Sequence, residues 1–240
     1  MIYKADILAF GAHPDDVEIS SSGTILRYIK EGKKVAIVDL TQGELGTRGN
    51  IHTRAKESKN ASELLGVKNR VNLHLKDGFL NSSESSIKLI IEQIRRFKPE
   101  IVFANAITDR HPDHAKAAKL VADACYLSGL KKINSIWEGT NQEAHRPRLV
   151  LHYIQDYYIK PDIVIDVSDF VEKKIEVIKS YKTQFFDPSS SEPETPISKE
   201  DFFDFIKGRM KQIGRPVNYL YAEGFTINRL IGVKDLFQLD

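Results

Sequence analysis

The chain has 240 residues, 41% hydrophobic and 28% charged, which fits one hydrophobic core near its upper size limit and excludes a disordered chain. Its 35 basic and 33 acidic residues are mixed along the sequence and leave a net charge of +2, so the clustered basic face of a nucleic-acid binder is excluded. A single cysteine, Cys125, excludes an internal disulfide and any cysteine-rich zinc module, and no stretch approaches the roughly 20 apolar residues of a membrane span.

The N-terminal residues lack the long apolar core and cleavage site of a signal peptide, so a cytoplasmic location is expected. Residues 7–12 form a short apolar run, as in a strand buried on both faces. Residues 17–31 have helical spacing and stop at Gly32. A second strand over 35–40 leads into a glycine-rich loop over 41–50, and a helix over 52–65 stops at Gly66. A strand at 71–75, a helix at 86–97, a strand at 101–105 and a helix at 112–128 follow. Cys125 lies in the last of these helices and reads as a small buried hydrophobe. Residues 149–154 and 163–167 add further strands.

Repeated β-α-β units with right-handed crossovers predict an α/β fold: a Rossmann-like, doubly wound, mostly parallel sheet with helices on both faces. In the strand order 3-2-1-4-5, strands 1 and 4 are neighbours where the winding reverses, and ligands bind there. One domain is expected over 1–240, with 169–240 as a helical and loop elaboration. Within it, Asp169 and Glu172 suggest a capped helix over 169–184. The segment 185–197, with Pro188, Pro193 and Pro196, reads as an ordered lid. A helix over 198–212 and an edge strand over 219–225 complete the chain.

Two segments carry chemistry. Gly-Ala-His-Pro-Asp-Asp at 11–16 follows strand 1, and Arg-His-Pro-Asp-His at 110–114 follows strand 4. About a hundred positions apart in sequence, they meet if those strands are neighbours. Histidine and carboxylate ligands that leave one position open are the pattern of catalytic zinc. Pro112 suits the first helical position, placing His111 and His114 on one face of the opening turn. Spacing leaves open which of Asp15 and Asp16 binds metal, since adjacent residues project differently.

With these residues the chain resembles the LmbE-like, or PIG-L-type, family of zinc-dependent N-acetylglucosamine deacetylases. Ala-His-Pro-Asp-Asp at 12–16 and His-Pro-Asp-His at 111–114 carry the resemblance. Thr-Gln-Gly-Glu at 41–44 and Tyr-Ala-Glu-Gly-Phe at 221–225 support it. Gln-Phe-Phe-Asp at 184–187 and Glu-Thr-Pro at 194–196 resemble the bacillithiol-pathway branch, which deacetylates N-acetylglucosaminyl-L-malate. The resemblance implies a zinc held by His13, Asp16 and His114, with Asp15 as general base and His111, oriented by the Asp113 carboxylate, acting on the oxyanion or the leaving amine. It implies that Arg54 contacts sugar hydroxyls, with Arg110 beside the site, and it suggests a homo-oligomer, a hexamer of modest-sized subunits. One departure is Ser22 before Gly23, where the family often has a glycine pair.

Malate would bring two carboxylates, and Arg48 in the glycine-rich loop is the candidate clamp beside Arg54 and Arg110. Iron(II) is also credible, because imidazole and carboxylate accept several divalent ions. His52, His74, His145 and His152 each stand alone and read as structural. Trp137 and the aromatics at 202–205 read as packing or a subunit contact. A non-catalytic Rossmann-like binding module is the rival class, but the loop after strand 1 lacks G-x-G-x-x-G. A two-metal phosphoesterase needs more ligands than these motifs supply. Another N-acetylglucosaminide, a chitooligosaccharide or a mycothiol-type precursor remains an alternative substrate.

Overall fold

The computed structural model describes residues 4–238. Through the first half, strands and helices alternate: β1 (Ile7–Gly11), α1 (Asp16–Lys30), β2 (Val35–Thr41), α2 (Ile51–Leu65), β3 (Asn69–Leu75), α3 (Glu84–Phe97), β4 (Ile101–Ala104) and α4 (Pro112–Leu127). A small hairpin, β5 (Ile136–Trp137) and β6 (Thr140–Asn141), precedes β7 (Leu149–Tyr153) and β8 (Ile163–Asp166). Two further helices, α5 (Val171–Lys179) and α6 (Phe202–Gly214), and the strand β9 (Ala222–Thr226) follow.

Local chemistry explains several boundaries. Asn50 accepts from the amides of His52 and Thr53 while Thr53 returns a bond to the Asn50 amide, a capping box that starts α2. Gly66, at φ 80°, ends that helix in the left-handed conformation glycine adopts freely. Pro112 opens α4, where its missing N–H is no loss. The β5–β6 turn places both Glu138 and Gly139 at positive φ. A Glu-Gly pair lacks the usual Asn-Gly signature, so this hairpin escapes sequence reading.

Seven strands form one sheet in the order β3-β2-β1-β4-β7-β9-β8. The first five are mutually parallel, and β9 runs antiparallel to both of its neighbours. Residues alternate between the two faces along β1, as pleating requires. Ile7 and Ala9 pack in the core shared with α1, α2, α5 and α6, while Leu8 and Phe10 pack in the core shared with α3 and α4. Cys125 is buried in the second core, and burial pushes its thiol pKa up, as for an inert structural thiol. Among the described residues no helix is long and apolar enough to cross a membrane.

The C-terminal third departs from expectation in three places. The strand expected at the edge, β9, lies between β7 and β8 with all five residues buried, and β8 is the edge. The helix expected over 169–184 is a short 3-10 turn at Ser168–Phe170 followed by α5, which ends at Lys179. Beyond it, Tyr181 turns into the core and donates to Glu18, and Thr183 binds Glu57. The helix over 198–212 starts only at Phe202, because Ser198 is held in a turn with Thr195.

Glu223 explains how a charged residue occupies an inner strand. Its carboxylate accepts from Lys174 Nζ at 2.6 Å and from the amides of Gly23 and Thr24 in the middle of α1 at 2.9 and 2.7 Å. Lys174 Nζ also donates to the Ile19 carbonyl at 2.6 Å. This buried pair therefore engages the backbone of α1 at one carbonyl and two amides. A Cβ at position 23 would come within 2.9 Å of Glu223 and Val167, so only glycine fits there. Ser22, by contrast, is accommodated, with its hydroxyl donating to the Glu18 carbonyl. Substituting Lys174→Met leaves Glu223 buried without its cation, and removing one partner of such a pair typically costs about 3–5 kcal/mol. Urea unfolding is expected to show a loss of that order, with the unfolding slope unchanged.

Candidate metal centre and active site

The β1–β4 pairing, with Ile7 opposite Ile101 and Ala9 opposite Phe103, sets the carboxyl ends of both strands side by side. Their following loops deliver His13, Asp15 and Asp16 from one side and His111, Asp113 and His114 from the other. Asn105, at the end of β4, joins the two loops: its Oδ1 accepts from the Ala12 amide at 2.9 Å and its Nδ2 donates to Asp16 at 3.0 Å. Thr41 donates both its amide and its hydroxyl to the Ala12 carbonyl, so the Thr-Gln-Gly-Glu segment braces the same turn.

Asp16 is the anchored centre of the cluster. Its Oδ2 accepts from the His13 amide at 2.9 Å and from Asn105, and its Oδ1 accepts from Gln155 Nε2 at 3.0 Å. Asp16 Oδ2 lies 3.5 Å from His13 Nδ1, and Oδ1 lies 3.1 Å from His114 Nε2. Donor atoms on a tetrahedral ion with bonds of about 2.0–2.2 Å stand roughly 3.4 Å apart, so these separations suit ligands sharing one cation. Each histidine presents its other nitrogen to a carboxylate. His13 Nε2 is 2.9 Å from Asp77 Oδ1, and His114 Nδ1 is 2.5 Å from Asp109 Oδ2. Such outer carboxylates fix the ring orientation and raise ligand basicity at metal sites.

The same carboxylates favour the protonated form of both histidines, a proton that a bound cation would displace. Burial alone lowers the pKa of His13, but its contacts with Asp16 and Asp77 outweigh burial and raise it to about 10. His114 is likewise lowered by burial and raised by Asp16 and Asp109, to about 9. Burial pushes Asp16 up, and the two histidines reverse this to hold it well below the usual carboxylate range. The five carboxylates Asp15, Asp16, Asp77, Asp109 and Asp113 crowd around three imidazoles, and such an acidic surplus suits a divalent cation.

His111 and Asp113 differ from expectation. His111 caps α4, and its Nδ1 accepts from the Asp113 main-chain amide at 3.2 Å. The Asp113 carboxylate instead accepts from the Gly78 amide at 2.6 Å and from Lys116, and lies 4.0 Å from His13 Nε2. Asp113 therefore orients His111 through its backbone rather than its side chain. With Nδ1 accepting, Nε2 is the ring's remaining donor. Burial, followed by the neighbouring charges of His13 and His114, lowers the His111 pKa.

Asp15 stands at φ 115°, a conformation that a non-glycine residue adopts only when its surroundings impose it. Arg54 Nη2 supplies part of that constraint, donating to Asp15 Oδ2 at 2.6 Å and to the Pro14 carbonyl at 3.1 Å. Burial raises the Asp15 pKa to about 6 even though Arg54 pulls it down. The glycine-rich loop wraps this arginine: a Cβ at Gly43 or Gly46 would stand 3.2 or 3.3 Å from Arg54 Nη1.

The three arginines thus separate. Arg54 lines the cleft but is committed to Asp15, and Arg110 lines it while bonded to Asp156 at 2.8 Å. Arg48 is buried away from the cleft lining, with Nη2 on Ser190 Oγ at 2.6 Å and Nε 3.6 Å from Glu192. It fastens the segment 185–197 instead of facing a substrate. That segment supplies Glu194, Pro196 and Ile197 to a cleft of about 460 Å3 that opens over the histidines. A larger groove of about 740 Å3 runs between α2 and β3. Its Arg70 and Asp39 are already paired, Arg70 also reaching Glu18, and the groove holds no histidine cluster. His152 is a core residue with Nδ1 on the Asn105 carbonyl.

Sequence reading missed Asp77, Asp109, Asn105 and Gln155. A signal existed for Asn105, a polar residue closing an apolar strand, and for Asp109, an acid in the loop that carries His111. Asp77 and Gln155 become meaningful only when the sheet brings their loops over β1.

Residues 8–125 match the GlcNAc-PI de-N-acetylase (PIG-L) family. Diacetylchitobiose deacetylase of Thermococcus kodakarensis is 31% identical over 232 residues, covering 91% of this chain and 81% of that protein. A probable N-acetyl-α-D-glucosaminyl L-malate deacetylase of Bacillus anthracis is 25% identical over 195 residues, covering 75% of this chain and 81% of its own length. Among solved structures, a conserved protein of Thermus thermophilus aligns with a TM-score of 0.84 at 29% identity, covering 96% of this chain and 98% of that one.

Substituting Asp77→Asn or Asp109→Asn removes the carboxylate behind one histidine while keeping a similar shape. Loss of such a partner typically weakens metal binding by about 10–100-fold. Competition with a chromogenic chelator is expected to show a weakening in that range for each variant.

Proposed function

The chain belongs to the PIG-L family of deacetylases, and on that premise we propose that it hydrolyses the acetamide of an N-acetylglucosamine conjugate with the help of one divalent cation held by His13, Asp16 and His114. The observation that carries this reading is the Asp16 carboxylate set between His13 Nδ1 and His114 Nε2 at separations that suit a shared ion. Zinc is the preferred ion for such imidazole and carboxylate donors, with iron(II) the second. When bound, a divalent ion supplies Lewis acidity, polarising the acetamide carbonyl and lowering the pKa of water from about 15.7 toward about 7.

The residues around that position divide the remaining work. Asp15, fixed by Arg54 at the mouth of β1, accepts the proton of the attacking water and returns it to the departing nitrogen. His111, with Nδ1 engaged by the Asp113 amide, directs Nε2–H at the developing oxyanion. Loss of one oxyanion donor typically costs about 3 kcal/mol in transition-state stabilisation. Gln155 and Asn105 hold the Asp16 carboxylate in place through the reaction. The C–N bond breaks, acetate leaves, and the amine stays on the sugar.

Two finer substrates share the acetamide. One is N-acetylglucosaminyl-L-malate of bacillithiol biosynthesis, the substrate named for the Bacillus anthracis relative. The other is a diacetylated chitobiose, named for the Thermococcus relative. They differ in the charge of the group attached to the sugar.

Acetate release from N-acetylglucosamine conjugates tests the reading. The substitution Asp15→Asn is expected to retain metal at the wild-type stoichiometry and to lower kcat by at least about 1,000-fold, beyond the 10²–10⁴ range's lower bound for general acid–base catalysis. Wild-type turnover in that variant would overturn the role of Asp15, and no acetate from any conjugate with metal-loaded wild type would overturn the activity.

A further inference from the structure

The part of the cleft away from the histidines has a chemistry of its own. Phe205, on α6, lines it and is 40% exposed. The ring is not loose. It stacks on Phe202 at 6.0 Å between centroids, and the Arg209 guanidinium lies 5.0 Å from its centroid. Arg209 in turn is pinned by donating to the carbonyls of Gln155 and Asp156, each at 2.9 Å. Gln155 is the residue that holds Asp16, so the aromatic wall and the metal centre share one support. Pro196 and Ile197 extend the apolar surface beside Phe205.

The polar lining of the same cleft is one-sided. Six carboxylates line it, including Asp156 and Glu194, against two guanidiniums. Both guanidiniums are already committed, Arg54 to Asp15 at 2.6 Å and Arg110 to Asp156 at 2.8 Å. Arg48, the residue expected to clamp a dicarboxylate, is bound to Ser190 and directed at Glu192. A divalent cation at the histidines still leaves carboxylates in excess. Lys199 Nζ lies 3.8 Å from Glu194 at the exposed rim and offsets one of these carboxylates. An anionic aglycone would still enter a field of its own sign, with both lining guanidiniums already paired. Carboxylates only accept hydrogen bonds, and the hydroxyls of a neutral sugar donate them. A rigid aromatic wall with a few polar groups is the usual construction of a small-molecule subsite.

Resting on the deacetylase reading above, we propose that the cleft between Phe205 and Glu194 is a subsite for an uncharged sugar linked to the acetamido sugar, and that it selects against anionic aglycones such as malate. Phe205 is the platform for the apolar face of that second ring. Glu194 and Asp156 accept from its hydroxyls.

The test compares kcat/KM for acetate release by the metal-loaded full chain from N-acetylglucosamine, N,N′-diacetylchitobiose and N-acetylglucosaminyl-L-malate. The wild type is expected to prefer the chitobiose to the malate conjugate by at least about tenfold, the scale of one modest interaction of about 1.4 kcal/mol. The Phe205→Ala variant is expected to lose at least about tenfold more on the chitobiose than on the monosaccharide, consistent with the stacking energies of exposed aromatic platforms. Phe205→Trp, which keeps a platform, is expected to retain the chitobiose preference, and thermal melting of both variants reports on folding. Equal or faster turnover of the malate conjugate by the wild type overturns the subsite, as do equal losses on monosaccharide and chitobiose in Phe205→Ala. Either result leaves the deacetylase reading standing. Acetate from none of the three removes that reading and the subsite together.

Discussion

A single desolvated carboxylate, Asp16, ties the fold to the chemistry. It sits at the start of α1, directly after the central strand β1, and has lost nearly all contact with water. An ionised group in such a place persists only when its lone pairs are satisfied. Three elements far apart in sequence supply the partners: the His13 amide after β1, Asn105 after β4 and Gln155 after β7. The requirement to satisfy one carboxylate thus sets the relative positions of three loops, and those loops carry the histidines.

The same rule recurs away from the centre. Arg70 is held by Asp39 and Glu18, Lys174 by Glu223, and Arg54 by Asp15. These three buried cations each have a buried acid, whereas buried Arg95 is held by the carbonyls of Ser128, Leu130 and Ile133. Around the histidines the balance differs, because acids exceed the arginines that could offset them. A divalent ion restores the balance there, and the cleft beyond it stays acidic. The proposed ion and the proposed preference for a neutral aglycone both rest on this shortage of cations.

Much of this was legible in the sequence. Short apolar strands, glycine stops and Pro112 define β1–β4 and the helices between them, and the doubly wound order places the two histidine segments together. The C-terminal third was less legible for a physical reason. Glu223 in β9 reads as a residue of an exposed edge, and only the arrival of Lys174 from α5 makes its burial possible. The early end of α5 has the same origin, because Tyr181 and Thr183 gain partners on α1 and α2 that no local pattern reveals. Arg48 shows the converse effect. An arginine in a glycine-rich loop suggests contact with ligand, yet Ser190 and Glu192 lie far along the chain and claim it first. Asp113 shows that spacing can bring two residues together while leaving the wrong atoms in contact.

Crystals of the zinc-loaded protein measured at the zinc absorption edge test the centre most directly. One anomalous peak per chain is expected at about 2.0–2.2 Å from His13 Nδ1, an Asp16 carboxylate oxygen and His114 Nε2. Two groupings without Asp16 also share the His13 imidazole: His13 with His111 and His114, and His13 with Asp77 and Asp113. A peak held by either of these without Asp16, or none near His13, would contradict the assignment of Asp16 as a ligand.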